Sequence, residues 1–161
     1  MFNVVTVYVL VDMGISEDIK QSKFKNEQAK AMINILYTSS WLESQQAQIF
    51  KESGLTGAQY NVLRILRGQY PNPATVNLLI ERMLDKSSNA SRIVDKLEVK
   101  KLVERKQCKN DRRAVDVMIS KKGLELLEKL DEVMDHWEKN SCSLSEQEYA
   151  QLNLLLDKLR A

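Results

Sequence analysis

Glycine and proline are scarce, five and two in 161 residues. So little turn material argues against a many-stranded sandwich or barrel and favours helices. No GxGxxG spacing and no GxxxxGK followed by Ser or Thr occurs, which excludes the phosphate-cradling loops of the common nucleotide sites. Histidine occurs once and cysteine twice, too few for a structural zinc site from the usual ligands. No nucleophile–base pair can be named from them, so the sequence is read as non-enzymatic, with neither cofactor nor metal. No apolar run approaches the ~18 residues needed to cross a bilayer. Cys108 and Cys142 supply no disulfide framework, which suits a reducing cytoplasm.

The charge is unevenly placed. The net charge is only +2, but the segment from Arg82 to Lys122 holds 13 Lys and Arg against 6 Asp and Glu. A basic stretch in an otherwise acidic chain is the footprint of a surface that binds a polyanion. A solvated face with chance clustering would look the same without supporting motifs.

Residues Met1 to Val11 are apolar at nine of eleven positions, five of them valine, without helical spacing. Two readings compete for residues 1–15: an arm that packs on a partner, or a start assigned too early with Met13 as the native beginning. The apolar start has neither a basic flank nor a small-residue cleavage site, unlike a secretory signal. Residues 16–161 are read as a single domain.

From Phe24 to Phe50, Met32, Ile35, Leu36, Leu42, Ile49 and Phe50 recur at helical spacing, which predicts a long helix ending near Gly54. Thr56 and Gln59 form a capping box for a second helix, which Gly68 and Pro71-Asn72-Pro73 are expected to break. Thr75 caps a third, with Val76, Leu79, Ile80 and Met83 on one face. Asp85 is expected to cap a fourth, spanning Lys86–Lys101 and carrying Ile93, Val94 and Leu97 inward. Val115, Val117 and Ile119 then alternate as a strand, with Leu102 to Gln107 as its partner. Ser120 caps a fifth helix bearing Leu127, Leu130, Val133, Met134 and Trp137. Ser145 and Glu148 open a last one bearing Leu152, Leu155, Leu156 and Leu159.

The third and fourth helices meet across a tight turn, as a helix-turn-helix requires. The second of the pair opens with Lys86, Ser87, Ser88, Asn89, Ser91 and Arg92. Asn can read adenine, Arg guanine, and Ser either base or phosphate, when such a helix enters the major groove. The hairpin tip, Lys109-Asn110-Asp111-Arg112-Arg113, offers guanidinium groups to a minor groove.

Asp111-Arg112-Arg113-Ala114-Val115-Asp116-Val117-Met118-Ile119-Ser120-Lys121-Lys122-Gly123 resembles the wing signature of the MarR family of winged helix-turn-helix regulators. Ser91-Arg92-Ile93-Val94-Asp95-Lys96-Leu97 is similar to that family's recognition helix. Leu55 to Leu63 is similar to the helix before it. The resemblance implies a mainly α fold with a small β-hairpin wing. The dimerisation helices are expected at about 24–53 and 121–161, and the DNA-binding lobe at about 55–120. It also implies a cytoplasmic homodimer on palindromic double-stranded DNA, usually a repressor, released by a small-molecule effector or an oxidant. Carried over by position, Ser87, Ser88, Asn89, Ser91 and Arg92 contact the major groove or its flanking phosphates. Arg113 and Arg112 occupy the minor groove, Asp111 holds the wing, and Lys109 and Thr75 contact phosphate.

Tyr37, Trp41 and Tyr60 are candidates for an effector pocket, though aromatic residues at such spacing also build cores. Cys108, beside Lys106 and Lys109, is either a redox switch or a plain exposed thiol. Cys142 is read as inert, and His136 with Asp131, Glu132 and Asp135 as an acidic surface. The competing function is a helical protein-interaction module whose basic face has no DNA sequence preference.

Overall fold

A computed structural model describes residues 14–107, 115–141 and 144–161. The chain divides into two units, Met1–Glu52 and Ser53–Ala161. Expectations for the apolar leader, for Cys108 and the wing tip, and for Cys142 lie outside the described residues.

In the first unit a short helix α1 (Ile15–Asp18) packs on a long helix α2 (Glu27–Glu52). Asn26 starts α2 by accepting the Ala29 amide at 2.8 Å, which satisfies one of the orphan donors of its first turn. Met32, Ile35, Leu36, Tyr37 and Trp41 are all exposed on α2. They recur at helical spacing because they form an apolar stripe, but this chain does not bury it.

The second unit opens at Gly54, whose φ of +66° needs a residue without Cβ. Helix α3 (Gly57–Gln69) starts with the expected capping box of Thr56 and Gln59. Strand β1 (Ala74–Thr75) follows, then helices α4 (Val76–Arg82) and α5 (Ala90–Val99). Strands β2 (Val103–Gln107) and β3 (Val115–Ile119) come next, then helices α6 (Lys121–Ser141) and α7 (Glu146–Arg160). The sheet order is β1-β3-β2, antiparallel throughout. Val103 faces Ile119, Arg105 faces Val117, and Ala74 meets Val117 from the other side.

Val62, Leu63 and Leu66 of α3 form the core with Leu79, Val94, Leu97, Leu102, Val117, Ile119, Leu127 and Leu130, all nearly inaccessible to solvent. Helix α3 packs against α5, β3 and α6, so this one apolar face collects the lobe around itself.

Several local expectations change. Gly68 does not break α3, which stops at Gln69 because the approach to Pro71 cannot stay helical. Ile80 is 44 % exposed, since the short α4 turns only Leu79 and its C-cap Met83 fully inward. Helix α5 begins at Ala90, capped by Asn89 rather than Asp85. Its end is fixed by Lys101, at φ +61°. Val133 is exposed on α6. Helix α7 keeps its Ser145–Glu148 capping box but buries no residue.

Candidate nucleic-acid interface

The segment between α4 and α5 is organised by Asp85. Its carboxylate accepts the Ser87 amide at 2.8 Å and the Ser87 and Ser88 hydroxyls at 2.6 Å each. The Ser87 hydroxyl, then the Ser88 hydroxyl, hold the Asp85 carboxyl down at about 2. Lys86 donates to the Ile80 carbonyl at 3.1 Å and to the Glu81 carbonyl, closing the end of α4. Asn61 of α3 accepts the Leu84 amide at 3.1 Å, tying the turn to the helix behind it.

At the head of α5, the Asn89 side chain accepts the Arg92 amide at 3.0 Å. The cap leaves the Ala90 and Ser91 amides outside the helical ladder, at the positive end of the dipole, a disposition suited to phosphate. Ala90, Val94 and Leu97 are buried while Ser91, Arg92, Asp95, Lys96 and Val99 are exposed, so the helix has one face in the core and one in solvent.

The exposed face is itself divided. Arg105, from β2, donates to the Ser91 carbonyl at 3.2 Å and to the Asp95 carboxylate, and pairs with Glu98 at 3.4 Å. These contacts fix the Ser91–Asp95–Glu98 edge to the hairpin. Arg92, Lys96 and Val99, at i, i+4 and i+7, form the adjacent edge, with both cations exposed. Such an edge can place a forked donor and a point charge against bases and phosphates.

Thr75 lies where β1 passes into α4, and its hydroxyl oxygen accepts the Leu78 amide at 3.2 Å. Ser87, Ser88, Asn89, Ser91, Arg92 and Thr75 therefore belong to one lobe. The donors of Ser87 and Ser88 are spent on Asp85, and the Asn89 oxygen on its cap. Lys109, Asp111, Arg112 and Arg113 lie outside the described residues. Tyr37 and Trp41 are on α2, in the first unit, whereas Tyr60 is on α3, where its hydroxyl accepts from Arg64 at 2.9 Å. His136 lies near Asn140, whose amide donates to the His136 carbonyl at 2.7 Å.

Two residues escaped the sequence reading. Lys96 was signalled by its i+4 spacing from Arg92. Arg105 had no such signal, because its role depends on a strand docking against a helix.

Comparison with known proteins agrees with this geometry. Residues 53–114 match the family model MarR_2, described as the MarR family. The fold is shared with a MarR-like transcription regulator from Bacillus cereus, at TM-score 0.72 and 21% identity over 83% of this chain and 96% of that one. It is shared with the S. aureus MepR–DNA complex, at TM-score 0.70 and 24% identity over 85% and 97%. The chain thus has the fold of a MarR-like regulator, and its residues 53–114 are similar to the MarR family.

A third match is the organohalide-sensing RdhR transcriptional regulator in its 2,4-dichlorophenol-bound form. The TM-score is 0.75 and the identity 19%, over 87% of this chain and 85% of that one. No curated protein matches the sequence. In this shared fold α4 and α5 form a helix-turn-helix and β2–β3 the hairpin that follows it. No helix among the described residues is long and apolar enough to cross a membrane.

Proposed function

We propose that this chain is a non-catalytic transcriptional regulator of the MarR type that binds double-stranded DNA as a cytoplasmic homodimer. The observation that carries the reading is the exposed Arg92–Lys96 edge of α5, beside an N-terminus capped by Asn89 and braced by Arg105. Each recognition helix enters a major groove, and two-fold symmetry places the pair about one helical turn apart, ~34 Å, on a palindromic site. Arg92 reads base edges. Lys96, Thr75 and the first-turn amides hold phosphates, and Ser87, Ser88 and Ser91 lie beside them. From the wing, Arg112 and Arg113 reach the flanking minor groove, with Lys109 on phosphate and Asp111 holding the tip.

The unburied apolar stripes of α2 and of α7, where Leu152, Leu154, Leu155 and Leu159 are exposed, support dimerisation through the terminal helices. MepR was crystallised with DNA and RdhR with a chlorinated phenol. These relatives support repression relieved by a small-molecule effector.

The test is selection of bound duplexes from a random library, with affinity measured at two salt concentrations. A palindromic consensus with steep salt dependence is expected. Arg92→Ala should cost about 1–3 kcal/mol and relax one position of the consensus. Lys96→Ala should weaken every sequence alike and flatten the salt slope by about one phosphate. Equal binding to all duplexes would replace this reading with a basic protein-interaction module.

A further inference from the structure

The sequence reading named aromatic residues for an effector, but the second unit contains a cavity lined by none of them. Its volume is about 530 Å³, within the range of small-molecule sites. It lies where the C-terminus of α5, the start of β2 and the first turns of α6 meet the loop before α3. Lys100, Lys122 and Lys129 line it with Glu125, Leu102 and Leu126.

Two of the three ammonium groups are held in place. Lys100 donates to the Gly54 carbonyl and, at 2.9 Å, to Gln59 Oε1. Lys122 donates to the Lys100 carbonyl at 3.1 Å. An ammonium has three donors and no acceptor, so these contacts leave one N–H on Lys100 and two on Lys122. Glu125 also pairs with Lys121, 3.9 Å away. Three cations against one carboxylate leave a local excess of two positive charges, and Leu102 and Leu126 add apolar wall.

We propose that this cavity is a binding site for a compact organic dianion, two negative charges on a short carbon body. Charge balance selects the dianion over a monoanion, and the pinned lysines provide a site already formed. The same lysines anchor the recognition helix. Lys122 holds its last carbonyl, and Lys100 ties its C-cap to Gly54 and Gln59. The dianion takes the spare N–H groups of Lys100 and Lys122 while their other donors keep the Gly54, Gln59 and Lys100 oxygens, so occupancy joins the ligand to the C-terminal anchor of α5 and shifts DNA affinity. Binding at the cavity is independent of the DNA reading, and only this coupling rests on it.

The experiment titrates the full-length protein with glutarate and, separately, with glycerol 3-phosphate, using butyrate at matched ionic strength as the monoanion. Binding is followed by calorimetry and amide chemical shifts. Saturable binding of a dianion with shifts at residues 100–102 and 122–129 is expected, and the two arms decide between dicarboxylate and phosphate ester. Lys129→Gln, at an exposed position, should weaken it about fivefold without changing the melting temperature, whereas Arg92→Ala should leave it unchanged. Equal weak binding of butyrate and both dianions, no effect of Lys129→Gln, or shifts centred on Arg92 and Lys96 would overturn the site. Dianion binding with unaltered affinity for a selected duplex would overturn the coupling alone.

Discussion

Gly123 sits where α6 leaves the wing, and replacing it with alanine should damage the lobe despite alanine's higher helix propensity. A Cβ there would collide with the Leu102 carbonyl oxygen and come within 2.7 Å of Ile119 Cγ1. Neither neighbour gives way easily. The Leu102 oxygen accepts the Ser120 amide at 3.0 Å, Ile119 is 3 % exposed, and Ser120 Oγ both donates to the Lys101 carbonyl and accepts the Gly123 amide. Overpacking of this kind costs about 1–3 kcal/mol. The strained carbonyl bond adds about 1 kcal/mol, and the propensity gain returns at most ~1 kcal/mol.

The net loss is about 2 kcal/mol, or about 4–8 °C in Tm for a chain of this size. Gly68, also helical but with nothing within 4 Å of a built Cβ, supplies the control. Its substitution with alanine should stabilise by about 0.5 kcal/mol, because it stands near the end of α3. Urea unfolding of both variants at one protein concentration measures the contrast, since concentration shifts the apparent stability of any oligomer. Wild-type stability in Gly123→Ala would refute the close-packed junction between α6 and the sheet.

Three further outcomes test the lobe. Asn89→Ala should cost about 1 kcal/mol through loss of the α5 cap, while Asn89→Ser retains the cap and stability; unequal DNA consensus sequences for Asn89→Ser and wild type would show that Asn89 also reads bases. Asp85 is bound below its ordinary value of 3.8, at about 2. The folded turn therefore holds fewer protons than the unfolded chain, and its stabilisation is complete above about pH 4 and lost as pH falls through about 2. Carboxyl NMR should place the Asp85 midpoint there, and a midpoint near 4 would remove the Ser87–Ser88 clasp. Arg67 is held above its ordinary value by a two-pronged hydrogen bond to Asp131, one prong 3.1 Å. A double-mutant cycle of Arg67→Met and Asp131→Asn should give a coupling of about 0.2–1 kcal/mol, shrinking in 1 M salt if the pair is electrostatic.

Local signals fixed much of the lobe before any tertiary information. The Thr56–Gln59 and Ser145–Glu148 boxes, the Thr75 cap and the Val115–Val117–Ile119 alternation each depend on residues a few positions apart. Periodicity also marked the stripes of α2 and α7, but a stripe reports only that apolar side chains share a face. It does not say whether that face is buried within the chain or left for a second one. Helix α5 starts at Ala90 and not at Lys86: Asp85 and Asn89 are both good caps, and sequence alone does not rank them. The turn is decided by contacts from elsewhere, with Asn61 holding Leu84 and Lys86 closing α4.

What the sequence determined by itself is the order of elements, the basic segment, and the resemblance of residues 91–97 and 111–123 to a known family. These follow from spacing and residue type, which act over one or two helical turns. Only the tertiary structure decided that Ala74–Thr75 would add a third strand to the hairpin, and that Arg105 would clamp α5. It also brought Lys100, Lys122 and Lys129 around one cavity. Each of these joins residues brought together by burial of the α3 face, and no local pattern carries that information.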